Sequence, residues 1–210
     1  MVATTLARCG CTSIDFIDHD VKEPENVCRS EYRFSTGITN KTFELTNSLI
    51  EISPFVTSHQ IANGDFERYI KSFYSDEKYK IGIKSDLEKY DIIFDCSTDN
   101  DLMYVLDKLK LQSKLINISL TNHANELVCA FNPNIYNFVN NQFSNILEND
   151  VGDLYEPTGC WSPTFKASYN DIALLVQIAL KQINRILSGE NATNNFIIQE
   201  NHSSFKIIEY

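Results

Sequence analysis

The stretch Tyr90-Asp91-Ile92-Ile93-Phe94-Asp95-Cys96-Ser97-Thr98-Asp99-Asn100 decides the fold. Tyr90 to Asp95 is a nearly continuous apolar run bounded by polar residues, the pattern of a strand buried in a parallel sheet. Behind it, Asp99 to Leu109 carries Leu102, Met103, Val105, Leu106 and Leu109 at helical spacing. Leu115 to Leu120 and Glu126 to Phe131 read as two further buried strands. Strands alternating with helices predict an α/β fold with a Rossmann-like, doubly wound and mostly parallel sheet.

Toward the N-terminus, Val2 to Cys9 reads as a short helix stopped by Gly10, and Ser13 to Asp18 as a short strand. Thr39 or Asn40 caps a helix from Lys41 to about Ile52, with Phe43, Leu45, Leu49, Ile50 and Ile52 as its apolar face. Phe55 to Ile61 is a second strand, and Asp65 to Leu87 begins as a helix. Toward the C-terminus, Ile135 to Leu147 is helical and Glu148 to Thr158 an acidic loop. Asn170 to Leu187 is an apolar helix suited to a core or a subunit interface. Phe196 to Gln199 and Phe205 to Tyr210 form a closing hairpin. The expected organisation is an ATP-binding region over residues 1–132, with residues 133–210 completing the same domain.

Composition narrows the function. The chain has 210 residues, 43% hydrophobic and 22% charged, which is ordinary globular composition. Its 18 basic against 28 acidic residues give a net charge of -10, which argues against nucleic acid as a partner. No apolar run has the ~18–20 residues of a membrane-spanning helix. The 6 cysteines, at 9, 11, 28, 96, 129 and 160, show no repeated spacing and form no C-x-x-C pair. They suggest a reducing, cytoplasmic setting rather than a disulfide scaffold or a zinc site.

The chemistry concentrates in Asp18-His19-Asp20-Val21-Lys22-Glu23-Pro24-Glu25-Asn26-Val27-Cys28-Arg29. An acidic residue ending the strand after the first crossover is placed to hydrogen-bond a ribose hydroxyl, and Asp18 stands there. Asn26, Arg29 and Lys41 supply donors for phosphate oxygens. At the end of the Tyr90–Asp95 strand, Asp99 offers a hard carboxylate oxygen of the kind Mg²⁺ prefers. Taken singly, Asp18 and Asp20 are ordinary turn residues. Their order with Asn26, Arg29, Lys41 and then Thr98-Asp99-Asn100 is much more specific.

That ordered set resembles the ThiF/MoeB family of ubiquitin-activating-type adenylyltransferases across most of the first 130 or so residues. The resemblance implies ATP and Mg²⁺ as cofactors. It implies activation of the C-terminal carboxylate of a ubiquitin-like or sulfur-carrier protein as an acyl adenylate. By the same resemblance Asp18 holds the ribose, Asn26, Arg29 and Lys41 the phosphates, and Asp99 the metal, with Asp20 and Asn100 in the nucleotide set. Arg29, Lys41 and Asp99 would then be the catalytic groups. Cys160, in Gly159-Cys160-Trp161-Ser162-Pro163-Thr164-Phe165, is the best-placed thiol for a thioester. A homodimer or a partner subunit is also expected.

The sequence departs from the family pattern in two places. Ser30 follows the arginine where the family has Gln, and none of the 7 glycines makes a G-x-G-x-x-G loop. Such a loop and the helix after it would present backbone amides to the phosphates. The expectation is therefore of an N-terminally truncated member with an incomplete sheet, and of a chain that can be inactive alone. A noncatalytic module that docks a ubiquitin-like protein or completes a partner enzyme is the alternative. A nicotinamide-dependent oxidoreductase ranks last, because it leaves Arg29, Lys41 and Asp99 without a role.

Overall fold

A computed structural model describes residues 1–61, 72–148, 167–201 and 204–210. The chain divides into two units, Met1–Arg68 with Ala167–Gln177, and Tyr69–Lys166 with Ile178–Tyr210.

In the first unit, helix α1 spans Val2–Arg8 and ends as Gly10 turns through a φ of 96°. Cys11 N–H donates to the Leu6 carbonyl at 3.0 Å, closing the helix. The two stretches expected as strands run parallel but pair as isolated bridges, Ser13 with Thr57 and Phe16 with Gln60, rather than as a continuous ladder. Ile14 N–H donates to the Thr57 carbonyl and Phe16 N–H to the His59 carbonyl. Helix α2 is the short Pro24–Val27, and α3 spans Lys41–Ile52. Asn40 caps α3 by accepting from Thr42 N–H at 3.0 Å and Phe43 N–H at 3.3 Å. Ala7, Leu49 and Val56 form the apolar core, with Ile14, Phe16 and Ile52 packed on it.

The apolar face of α3 differs from expectation. Leu49 is fully buried, but Phe43 is 52% and Ile50 56% exposed, while Thr42 and Glu44 are buried. The cause is an ion pair. Lys22, only 2% exposed, donates through Nζ to the Arg33 carbonyl, to Thr36 Oγ1 and to Glu44 Oε2, using all three ammonium protons. Glu44 Oε1 accepts from Arg33 N–H, and Glu44 Oε2 also accepts from the Thr36 and Thr39 hydroxyls at 2.8 and 3.2 Å. Buried charges must be paired and hydrogen-bonded. Drawing Glu44 inward therefore turns Phe43 outward.

The second unit holds a five-stranded sheet in the order β1-β2-β3-β4-β5. Its elements are α4 (Glu77–Leu87), β1 (Ile92–Asp95), α5 (Asn100–Leu109), β2 (Lys114–Thr121) and β3 (Glu126–Phe131). They are followed by α6 (Ile135–Glu148), β4 (Phe196–Asn201) and β5 (Ser204–Glu209). Helix α7 (Tyr169–Leu187) begins in the first unit and ends in the second. The start expected for the helix before Leu87 lies partly outside the described residues.

The α/β class and the C-terminal helix and hairpin are as expected, but the sheet is not mostly parallel. Only β1 with β2 is parallel; β2–β3, β3–β4 and β4–β5 are antiparallel. The connections explain it. A parallel pair needs a crossover of about a dozen residues or more, and α5 supplies one between β1 and β2. Between β2 and β3 the chain reverses within Asn122, His123 and Ala124, all at positive φ. The apolar runs of β2 and β3 record burial on both faces rather than strand direction. Leu115, Ile116, Leu127, Val128, Cys129, Phe196 and Ile198 form this core, joined by Val105, Leu106 and Val139 from the helices.

Two measurements check this architecture. Leu127→Ala opens a cavity at a fully buried position and is expected to cost about 2–5 kcal/mol in urea unfolding. The second concerns Glu44. Burial pushes its carboxyl up, but hydrogen bonds from Lys22, Arg33 N–H and Thr36, with the Lys22 charge, outweigh that and hold it below its ordinary 4.5. A lowered folded value means that the pair's contribution is complete above about pH 4.5 and is lost as pH falls through the folded value. Urea titrations from about pH 6 to about pH 3 should therefore show a steeper acid loss for the wild type than for Glu44→Gln. Equal slopes would remove Glu44 as the source.

Candidate functional site

Asp18, Asp20 and Lys41 meet where the chain leaves its first parallel bridges and where α3 begins. Asp18 Oδ1 accepts from Asp20 N–H at 2.8 Å, a local turn that Asp favours after an extended segment. Lys41 Nζ lies 2.6 Å from Asp20 Oδ2, and Lys41 N–H donates to the Asp20 carbonyl at 3.0 Å. Between them Val21 bridges Asn40 in antiparallel fashion, and Lys22 N–H donates to the Thr39 carbonyl at 2.7 Å. Asp20 and the phosphate candidate Lys41 are thus locked together by backbone as well as charge, with the ribose candidate Asp18 tied to Asp20 by its turn bond.

Electrostatics here are mixed. Burial, foremost, raises the Asp18 carboxyl above its ordinary value; the Asp20 N–H and Lys41 oppose it, and the Asp20 carboxylate adds to it. Burial likewise pushes the Tyr32 phenol up, helped by the carboxylates of Asp18, Glu44 and Asp20, so it stays a neutral donor. Asp18, His19 and Asp20 place ligand atoms within 4.8 Å of one another. Lys41 brings a positive charge to this group of carboxylates.

Asn26 is 9% exposed and works within α2. Its side-chain oxygen accepts from Glu23 N–H at 2.9 Å, and the Glu23 side chain returns the bond to the Asn26 backbone, a reciprocal cap with Pro24 at the first helical position. The Asn26 amide NH₂ is thereby oriented by the cap. Arg29 follows directly, half-buried, its N–H donating to the Asn26 carbonyl at 3.2 Å. Ser30, at the position where the resemblance expects Gln, turns its hydroxyl back to the Asn26 carbonyl at 2.5 Å.

Asp99 and Asn100 belong to the second unit. Asp95, closing β1 and 5% exposed, accepts from Ser97 N–H at 3.0 Å, the Ser97 hydroxyl at 2.7 Å and Asn117 Nδ2 at 2.9 Å. Asn117 accepts from the Ser119 hydroxyl at 2.8 Å, so the polar string is satisfied within the sheet. The Ser97 hydroxyl accepts from Asp99 N–H at 3.2 Å, and Thr98 takes a φ of 56°. Asp99 then caps α5, its Oδ1 accepting from Leu102 N–H at 2.9 Å. Asn100, the first residue of α5, is exposed beside it.

Cys160 lies outside the described residues. The described cysteines, at 9, 11, 28, 96 and 129, form no disulfide with one another, and burial pushes the Cys129 thiol well up, leaving it inert. Sequence reasoning passed over Lys22, Glu44 and Tyr32. Period-2 alternation around Val21-Lys22 would place the valine inside. Instead Val21 is 50% exposed and Lys22 buried, an inversion that a lysine's partner 22 residues away creates and local pattern cannot show.

No family model matches the chain. It is 26% identical over 198 residues to the ATP-dependent ubiquitin transferase-like protein Cap2 of Enterobacter hormaechei, covering 90% of this chain and 31% of Cap2. Among solved structures it is similar to E. coli MccB with succinimide, at a TM-score of 0.64 and 15% identity, over 100% of this chain and 59% of MccB. It is also similar to PaaA, at a TM-score of 0.61 and 14% identity, over 99% of this chain and 68% of PaaA. MccB has also been crystallised with ATP, and with AMPCPP and MccA. The chain spans about a third of the length of the curated relative and about three fifths of MccB. Among the described residues no helix is long and apolar enough to cross a membrane. Sequence likeness to Cap2 and a fold shared with MccB and PaaA bear out the resemblance to ThiF/MoeB-type, ubiquitin-activating-like adenylyltransferases that the motifs carry.

Proposed function

We propose that the chain is the nucleotide-binding part of an ATP-dependent adenylyltransferase, acting on the C-terminal carboxylate of a ubiquitin-like or sulfur-carrier protein. The observation that carries this reading is the grouping of Asp18, Asp20 and Lys41 by backbone and ion pair, with Asn26 ordered by a capping box and Arg29 N–H bonded to the Asn26 carbonyl. In the reaction a carboxylate oxygen attacks the α-phosphorus of ATP. The bond to the β-phosphate bridging oxygen breaks, and pyrophosphate leaves with that electron pair. Positioning and neutralisation of charge supply most of the help such a displacement needs.

Asp18 would accept from ribose hydroxyls, with the Asp20 carboxylate beside it. Arg29 would grip phosphate oxygens as a planar fork, and the Asn26 amide would add a donor. Lys41 would trade part of its bond to Asp20 for a phosphate oxygen. The Asp99 donor suits Mg²⁺: its Oδ1 serves the α5 cap, and its Oδ2 has no protein hydrogen bond among the described residues. Mg²⁺ there would neutralise charge on the phosphates. Cys160 would take up the acyl group as a thioester, its thiolate attacking the acyl carbon of the adenylate as the acyl–phosphate bond breaks and AMP leaves. The setting would be cytoplasmic, with a homodimer or a partner subunit.

The Asp20–Lys41 pair also favours a second reading. A lysine whose charge is already met by a carboxylate at 2.6 Å is a weaker phosphate ligand, which suits a noncatalytic module that docks a ubiquitin-like protein or a partner enzyme.

Calorimetric titration with ATP and MgCl₂ separates the two. The adenylylation reading expects saturable binding, weakened ~10-fold or more by Arg29→Ala or Lys41→Ala, in line with ~1.5–3 kcal/mol for a hydrogen bond to a charged group. Absence of ATP binding, with stable association to a ubiquitin-like protein, would establish the docking module instead. The second measurement is ATP–pyrophosphate exchange with a carrier protein. Exchange is expected with a free C-terminal carboxylate and not with the C-terminal amide, and Asp99→Asn should lower it ~100-fold. Exchange unaffected by Asp99→Asn would remove Asp99 from the reaction.

A further inference from the structure

The buried Lys22–Glu44 pair is attached to the candidate site by short covalent paths at both ends. Lys22 stands two residues after Asp20. Glu44 stands three residues after Lys41, about one helical turn along α3. Between these arms, Lys22 N–H donates to the Thr39 carbonyl, Val21 bridges Asn40, and Lys41 N–H donates to the Asp20 carbonyl. Arg33, Thr36 and Thr39, from the excursion between the arms, all bond to the pair. We propose that the Lys22–Glu44 ion pair is a positioning device that sets the separation and orientation of Asp20 and Lys41, and so tunes the site for a nucleotide phosphate. The tuning clause rests on the nucleotide reading above; the positioning clause does not.

Stability alone does not account for the pair. A buried ion pair can usually be replaced by apolar residues of similar volume at little cost or with a gain, because desolvating two charges offsets their attraction. What apolar residues cannot do is hold Arg33, Thr36 and Thr39 by directed bonds. With the pair gone, the Thr39–Lys41 backbone keeps its volume filling but loses the bonds that hold the excursion against α3. Lys41 then samples positions in which Nζ no longer meets Asp20.

The test is the double variant Lys22→Met/Glu44→Leu in the full chain, compared with the wild type by three measurements. The melting temperature is expected to stay within a few degrees, since volume is conserved. Hydrogen exchange at the Lys22 and Lys41 amides is expected to rise ~10-fold or more, the equivalent of losing one hydrogen bond's worth of local stability. The ATP dissociation constant in MgCl₂ is expected to rise ~10-fold with the melting temperature unchanged, a split that a merely structural role would not produce. Unchanged exchange at both amides overturns the proposal, whatever happens to ATP. Raised exchange with unchanged ATP affinity overturns the tuning clause. Failure of the wild type to bind ATP refutes the nucleotide reading and the tuning clause with it, while exchange still decides the positioning clause. Should the double variant not fold, Thr36→Val/Thr39→Val keeps the ion pair and removes two hydroxyl bonds to Glu44. It also removes the Lys22 ammonium's bond to Thr36 Oγ1; it is expected to raise Lys41 amide exchange several-fold, and no change there overturns the proposal.

Discussion

A lysine ammonium with its protons fully assigned, next to a carboxylate only 4% exposed, is the constraint on which the first unit depends. Once both charges are buried they must meet, because an isolated buried ion costs many times what a single domain can tolerate. Meeting draws the Arg33–Thr39 excursion around them and turns α3 so that Thr42, Glu44 and Leu49 face inward. Phe43 and Ile50 are left at the surface as a consequence. The same contact joins the segment after Asp20 to the turn of α3 after Lys41, so that both arms carry charged groups of the candidate site.

The second unit is organised differently. Its centre is apolar, and its few buried polar groups are tied to one another rather than to a distant charge. Asp95, Ser97, Asn117 and Ser119 satisfy each other across the parallel β1–β2 pair, which fixes the turn that presents Asp99 and Asn100. Asp99 serves this turn as a helix cap, an ordinary structural task that uses one of its two carboxylate oxygens. The first unit therefore places its site residues by charge burial, and the second by capping and backbone turns.

The site residues differ in how plainly the sequence displays them. Asp18, Asn26, Arg29, Lys41, Asp99 and Asn100 stand in an order and spacing that local chain geometry preserves, so the motif resembles an adenylating enzyme before any coordinates are considered. The task of each residue is less visible. Asn26 spends its oxygen on the α2 cap, and Lys41 meets Asp20 rather than solvent. These are contacts made across turns and between segments about 20 residues apart, where hydrophobic period and propensity carry no information.

Helix boundaries such as Lys41–Ile52 and the β3 span Glu126–Phe131 were determined by the sequence alone, because caps, periodicity and turn residues act within a few positions. The sequence also determined the α/β class and the closing hairpin. Strand direction was decided only in three dimensions. An apolar run reports that both faces of a strand are covered, and the length and path of each connection decide whether its neighbour runs parallel or antiparallel. The inward face of α3 was likewise a tertiary decision: period places Phe43 inside, and the need to pair one buried lysine places Glu44 there instead.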